Sequence, residues 1–207
     1  MNADSQSARD DLAFLRSLVG DDEASQTRTF GEAYFVSGLI YGGQMLLHAA
    51  QFLGLIGALP LYNLAIGVGP TMVFIPVLLW IIHRNRKNAV RGAVGRAIAA
   101  VFGAVGLANL FLIAVIGSVA LAQHSIIVWL IYPCTVFVLQ GLAWLFAFMM
   151  RRHKWHLFVA AGWFFSAVAM ALSVTSIPYF ILFAGIGLWF CMALPGWVML
   201  RSAKSAG

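Results

Sequence analysis

Six polar side chains recur along the first apolar stretch of the chain: Tyr34, Ser37, Tyr41, Gln44, His48 and Gln51. At about 100° per residue, their alternating spacing of three and four keeps them within an arc of roughly 100° on one helix face. Hydroxyls, amides and one imidazole can form hydrogen bonds, and His48 could also relay a proton or ligate a haem or metal. At 1.5 Å per residue, Gln44, Thr71, Asn109 and Gln140 each lie roughly 15–21 Å from the inner end of their apolar stretch. Four neutral polar groups from four segments are therefore expected near one level. Polar side chains are costly in hydrocarbon, so this face should point into a bundle or a cavity. Two readings follow: a polar cavity or solute path, or interhelical hydrogen bonds worth about 0.6 kcal/mol each.

The groups that catalysis would need are missing from these stretches. Asp4, Asp10, Asp11, Asp21, Asp22, Glu23 and Glu32 are the chain's only acids, so no carboxylate follows residue 32. Metal sites ordinarily draw on three or four protein ligands. With no carboxylates or paired thiols near His48, no metal ligand and no cofactor is assigned. The sequence has no D-x-x-D, no H-E-x-x-H and no phosphate-binding glycine loop. Gly117-Ser118-Val119 is not the nucleophile segment of an intramembrane serine protease. General acid–base work would rest on His48 or a tyrosine with no carboxylate to tune it, so no catalytic residue is assigned. Glu32 closes the capping-box pattern Thr29-Phe30-Gly31-Glu32 and is expected to cap a helix start. His48 is read as the one histidine inside an apolar segment. Cys134 and Cys191 lie towards opposite ends of the bundle, which argues against a disulfide.

The elements that hold these residues follow from composition. Hydrophobic residues make up 62% of the 207 and charged residues 10%, far from the roughly 25% charged of soluble domains. Bilayer must therefore replace water around most of the chain. Apolar stretches near 30–56, 62–82, 96–122, 125–149, 155–175 and 177–200 each meet the roughly 20 residues needed to cross a hydrocarbon core. The expected fold is all-α: six transmembrane helices as three hairpins over 30–200, a cytoplasmic segment 1–29 and a tail 201–207. Ser7-Ala8-Arg9-Asp10 opens, and Gly20 closes, an amphipathic helix expected over 8–19 with Leu12, Leu15, Leu18 and Val19 on one face. Residues 21–29 read as a flexible linker. Gly38-x-x-x-Gly42 marks close helix packing within the bundle, and Pro70, Pro133 and Pro195 are expected to kink their helices.

Charge sets the orientation. The connections at 57–62, 123–125 and 175–178 carry no charge, whereas Arg84, Arg86, Lys87, Arg91 and Arg96 crowd one turn and Arg151, Arg152 and Lys154 another. With the first helix running outward, all 13 cationic residues fall on the cytoplasmic side, as the positive-inside rule requires. Both termini are then cytoplasmic, with Trp80, Trp155 and Trp197 as interfacial anchors. Such a basic inner face suits anionic lipid heads rather than nucleic acid.

Asp11-Leu12-Ala13-Phe14-Leu15-Arg16, Trp129-Leu130-Ile131-Tyr132-Pro133, Leu139-Gln140-Gly141 and Ala193-Leu194-Pro195-Gly196-Trp197 together resemble a family of bacterial six-helix membrane proteins without an assigned activity. The resemblance covers most of the chain. It implies a bacterial inner-membrane setting and says nothing of mechanism. The expected function is a non-catalytic interaction or regulatory role, with lipid as solvent and a cytosolic protein partner engaged through the N-terminal helix. The alternative is a transporter or channel for a small neutral or lipophilic solute, and a third reading is a haem or quinone protein.

Overall fold

The computed structural model describes the backbone of residues 3–57, 59–85 and 93–205, and the side chains of residues 27–203 within those stretches. Arg86, Lys87 and Arg91 lie outside the described residues. Helices dominate and no strand occurs among the described residues: α1 (Ala3–Phe52), α2 (Pro60–Arg84), α3 (Ala93–Ala122), α4 (Ile126–Arg151), α5 (Lys154–Leu172), α6 (Ile177–Leu188) and α7 (Leu194–Ser205). A π-helical segment, Trp189–Ala193, joins α6 to α7, so that Ile177–Ala203 forms one rod. α2, α3, α4, α5 and this rod are long and apolar enough to cross a membrane. α1 is not among these five; Gln44, His48 and Gln51 interrupt its apolar stretch.

Three boundaries differ from expectation. The helix expected over 8–19 and the linker expected over 21–29 both belong to α1, which runs unbroken to Phe52. Gly20 does not end it: an interior glycine costs a helix only about 1 kcal/mol, and residues 21–29 contain neither proline nor glycine. Thr29 and Glu32 are thus interior positions, and no capping box forms there. At the other end α1 stops at Phe52 rather than near 56, turning through Gly54 at φ +73°.

Helix neighbours trace an arc: α2, α1, the α6–α7 rod, α5, α4, α3. α2 packs extensively only on α1, and α3 only on α4. These two end helices accordingly bury little, with Ile66 and Ile81 the buried residues described on α2, and Gly95, Ile98 and Ala120 on α3. The core lies between α1, α4, α5 and the rod, around Tyr34, Phe137, Trp144, Trp163, Met170 and Phe180. Leu64, Leu79, Phe111, Phe158, Phe165 and Leu172 point outwards, as side chains solvated by acyl chains do.

Lipid tails are as apolar as leucine, so helices associate in membranes by close packing and hydrogen bonding rather than by hydrophobic burial. One face of α1 is built for the first. A Cβ at Gly38 would lie 2.5 Å from the backbone nitrogen of Ala193, and one at Gly42 would lie 2.6 Å from Nε1 of Trp189. The Gly38–Gly42 motif therefore seats α1 on the π segment within the bundle. Pro195 lies just beyond that segment, so the irregularity expected at the proline takes the form of an extra-wide turn before it.

Gly38→Ala should destabilise the protein by about 1–3 kcal/mol, the cost of overpacking a tight contact. Gly43→Ala is the control, since nothing lies within 4 Å of its Cβ position. Thermal unfolding in detergent micelles checks the pair: Gly38→Ala should melt earlier and Gly43→Ala should not.

Candidate functional site

The polar face of α1 divides between two neighbours. Tyr34, towards the N-terminal end of that face, meets α4. The indole N–H of Trp144 donates to the hydroxyl of Tyr34 at 2.6 Å, and that hydroxyl donates to Oε1 of Gln140 at 3.1 Å. Tyr34 and Trp144 are 5% and 1% exposed, so these bonds satisfy groups that would otherwise be orphaned in a dry interior. Phe30 and Phe102 complete an aromatic box, with Phe102 edge-on to Phe30 at 4.6 Å and to Trp144 at 5.6 Å. Ser37, also buried, donates to the carbonyl of Ala33 one turn back on its own helix at 2.8 Å.

The C-terminal part of the face meets α2. Tyr41 and Thr71 share a hydroxyl–hydroxyl contact of 3.4 Å, and Phe74 packs edge-on against Tyr41 at 5.4 Å. Nε2 of Gln44 donates to the carbonyl of Gly67 at 3.3 Å, and Nε2 of Gln51 donates to Oδ1 of Asn63 at 2.9 Å. At the other end of the same interface Glu32 receives Arg84, Arg28 at 3.4 Å and Asn85 at 3.5 Å. The acid read as a cap is instead a clamp between α1 and α2. Arg84 also lies over the Trp80 ring at 4.4 Å. Polar contacts thus run the whole length of the one interface that holds α2.

Gln44, Thr71, Asn109 and Gln140 do not converge. Gln44 and Thr71 both lie at the α1–α2 interface but bond Gly67 and Tyr41 respectively, and Gln140 bonds Tyr34 on the α4 side. Oδ1 of Asn109 is buried with no hydrogen-bond partner. His48 is half-buried, and no group of three or more His, Cys, Asp or Glu gathers among the described residues. Cys134 and Cys191 are free thiols.

The buried histidine is His156, at 4% exposure, rather than His48. Its ring stands 4.2 Å from Trp155 and 5.4 Å from Trp144, and Nδ1 has no hydrogen-bond partner. Trp155, expected as an interfacial anchor, is half-buried and edge-on to Trp144 at 5.2 Å. A signal for His156 was available: it shares the helix face of Ala160, Trp163, Ala167 and Met170, all buried, at helical spacings of four and three.

Of the basic residues expected on one face, the described ones gather at one end of the bundle. The contacts of Glu32 with Arg84, of Phe30 with Phe102 and Trp144, and of Trp144 with Trp155 bring the middle of α1, the end of α2, the first part of α3, the last part of α4 and the start of α5 near one level. Arg96, Arg151, Arg152 and Lys154 lie at or next to those ends. Arg201, over the Trp197 ring at 3.7 Å, lies near the same end, where Gly31 meets Met199.

Among the described residues the arrangement supplies hydrogen bonds between helices. Tyr34→Phe would leave the Trp144 N–H and the Gln140 oxygen unpaired, at a cost of about 1–3 kcal/mol. In a double-mutant cycle, Tyr34→Phe and Gln140→Leu should be non-additive by about 0.6–1.7 kcal/mol, read from unfolding in detergent; strict additivity would show that the bond contributes nothing. No protein-family model, curated protein or solved structure matches this chain.

Proposed function

We propose that the protein is a six-span component of a bacterial cytoplasmic membrane with both termini in the cytoplasm, and that its role is non-catalytic interaction or regulation. α1 supplies the sixth span: residues 30–52 of this helix are about 35 Å long at 1.5 Å per residue, enough for a hydrocarbon core of about 30 Å. Tyr34, Tyr41, Gln44 and Gln51 are tolerated because they bond to α2 or α4, and Ser37 because it bonds its own helix. The clustering of the described cations at one end supports the orientation, and the resemblance in the Asp11–Arg16 segment supports the bacterial setting.

One observation carries the functional reading. α1 is continuous from Ala3 to Phe52, so the segment outside the membrane and the centre of the bundle share one helix. A partner that engages residues 3–26 would act directly on the helix that holds α2 and packs on the α6–α7 rod. A transporter or channel for a neutral or lipophilic solute is the rival, and the unpartnered Asn109 oxygen favours it. The pairwise bonding of Tyr34, Tyr41, Gln44 and Gln51 weighs against it, because a solute path needs those groups free.

Affinity capture from membranes tests the proposal. The full chain should retain a cytosolic partner that is lost when residues 3–26 are deleted and also when Leu12, Leu15 and Val19 are changed to Glu. An unchanged set of captured proteins in all three cases would contradict it.

A further inference from the structure

The last turns of α3 and the first of α4 enclose a groove that the interaction reading leaves unused. α3 lines it with the small residues Ala114, Gly117 and Ser118, which leave room, and α4 lines it with Ile126 and Trp129. The Trp129 ring is packed in place: a Cβ at Gly117 would lie 3.5 Å from it, and Tyr132 stacks against it at 5.3 Å. The groove measures about 690 Å³, within the roughly 300–1,000 Å³ of small-molecule sites. Between Ile113 and Leu121, both on its wall, it follows α3 for about 12 Å at 1.5 Å per residue. That is most of one leaflet of a hydrocarbon core about 30 Å thick.

Its polar groups gather at the end nearest the turn. The Ser118 hydroxyl, deeper in, already donates to the Val115 carbonyl at 2.9 Å, so the wall there offers little to a polar ligand. At the turn Ser125 accepts from the Val128 N–H at 3.4 Å, which leaves its own O–H as a donor. His124, exposed and held at φ +49°, also lines the groove. A neutral imidazole adds one donor and one acceptor. No Lys, Arg, Asp or Glu occurs between Arg96 and Arg151, and the connections at 57–62 and 175–178 carry none either. A phosphate or carboxylate head would find no countercharge here.

We propose that this groove binds a neutral glyceride with a free hydroxyl, of the diacylglycerol class. The hydroxyl donates and accepts at His124, the ester carbonyls accept from Ser125, and one acyl chain lies along Gly117 and Trp129. The uncharged rim selects against anionic lipid, and the donor–acceptor set at the turn selects against a bare hydrocarbon chain, which could bond neither His124 nor Ser125. The inference rests on the membrane reading above, but neither on the interaction role nor on which leaflet the turn faces.

The test is native mass spectrometry of the full chain in detergent, titrated with dioleoylglycerol, with its methyl ether, or with dioleoyl phosphatidylglycerol. Dioleoylglycerol should be retained roughly five- to tenfold more tightly than the ether, the worth of one or two hydrogen bonds. His124→Ala should abolish that preference, and Ala114→Phe, which fills the groove, should remove retention. Ala104→Phe, on an exposed position of the same helix outside the groove, should leave retention unchanged. Equal retention of the alcohol and its ether, or of phosphatidylglycerol, would overturn the proposal. So would equal losses in Ala114→Phe and Ala104→Phe, which would indicate an unspecific lipid belt. Unaltered thermal unfolding of the variants separates loss of binding from loss of fold. Fractionation without detergent reads the membrane setting separately, so a soluble chain and a failed site give different results.

Discussion

Hydrocarbon cannot accept or donate a hydrogen bond, and the polar face of α1 makes this the governing constraint of the structure. A helix carrying Tyr34, Ser37, Tyr41, Gln44 and Gln51 can lie in a bilayer only if protein surrounds those groups. The arc sets α1 between α2 and the α6–α7 rod, and side chains of α4 reach across to Tyr34. The indole of Trp144 and the amide of Gln140 meet Tyr34, and Thr71, Gly67 and Asn63 meet Tyr41, Gln44 and Gln51. The glycine face is left for close approach to the α6–α7 rod. α1 thus uses both modes of membrane helix association, small residues on one side and polar bonds on the other.

This division has consequences for α2. It packs extensively on no other helix, and its attachment runs through a line of hydrogen bonds ending at Glu32 and Arg84. Bonds of this kind contribute about 0.6 kcal/mol each, far less than a tightly packed core face. Proline at positions 70 and 76 weakens the helix's own ladder as well. A displacement of α1 therefore reaches α2 through few, individually weak links, whereas the α4–α5 core, packed around Trp144 and Trp163, resists change.

Much of this architecture was legible in the sequence. Long uncharged stretches locate the helices α2 to α5 and the α6–α7 rod to within a few residues, because length and apolarity suffice for a span. The spacing of the polar residues gave the face of α1, and the Gly38–Gly42 pair gave its tight contact. Spacing alone identifies a face but not the helix opposite it. The expected meeting of Gln44, Thr71, Asn109 and Gln140 therefore resolved into separate contacts with α2 and α4, with Asn109 in neither. Glu32 was read locally as a cap because its partner, Arg84, lies 52 residues away. Gly20 was read as a stop because propensity is a weak prior against a helix continuing on both sides. The burial of His156 shows only in its alignment with Ala160, Trp163 and Ala167 on α5, and no residue pattern distinguishes the π segment from ordinary helix.

Cysteine accessibility along α1 tests this account most directly, in a chain carrying Cys134→Ala and Cys191→Ala. Single cysteines at positions 28, 34, 37, 41 and 54 would be exposed to a membrane-impermeant maleimide from either side of sealed vesicles. Position 28 should react only from the cytoplasmic side and position 54 only from the other, with 34, 37 and 41 unreactive from both. Reaction of 28 and 54 from the same side would show that α1 does not span. Ready labelling of 34, 37 and 41 would show a water-filled path where hydrogen-bonded side chains are expected.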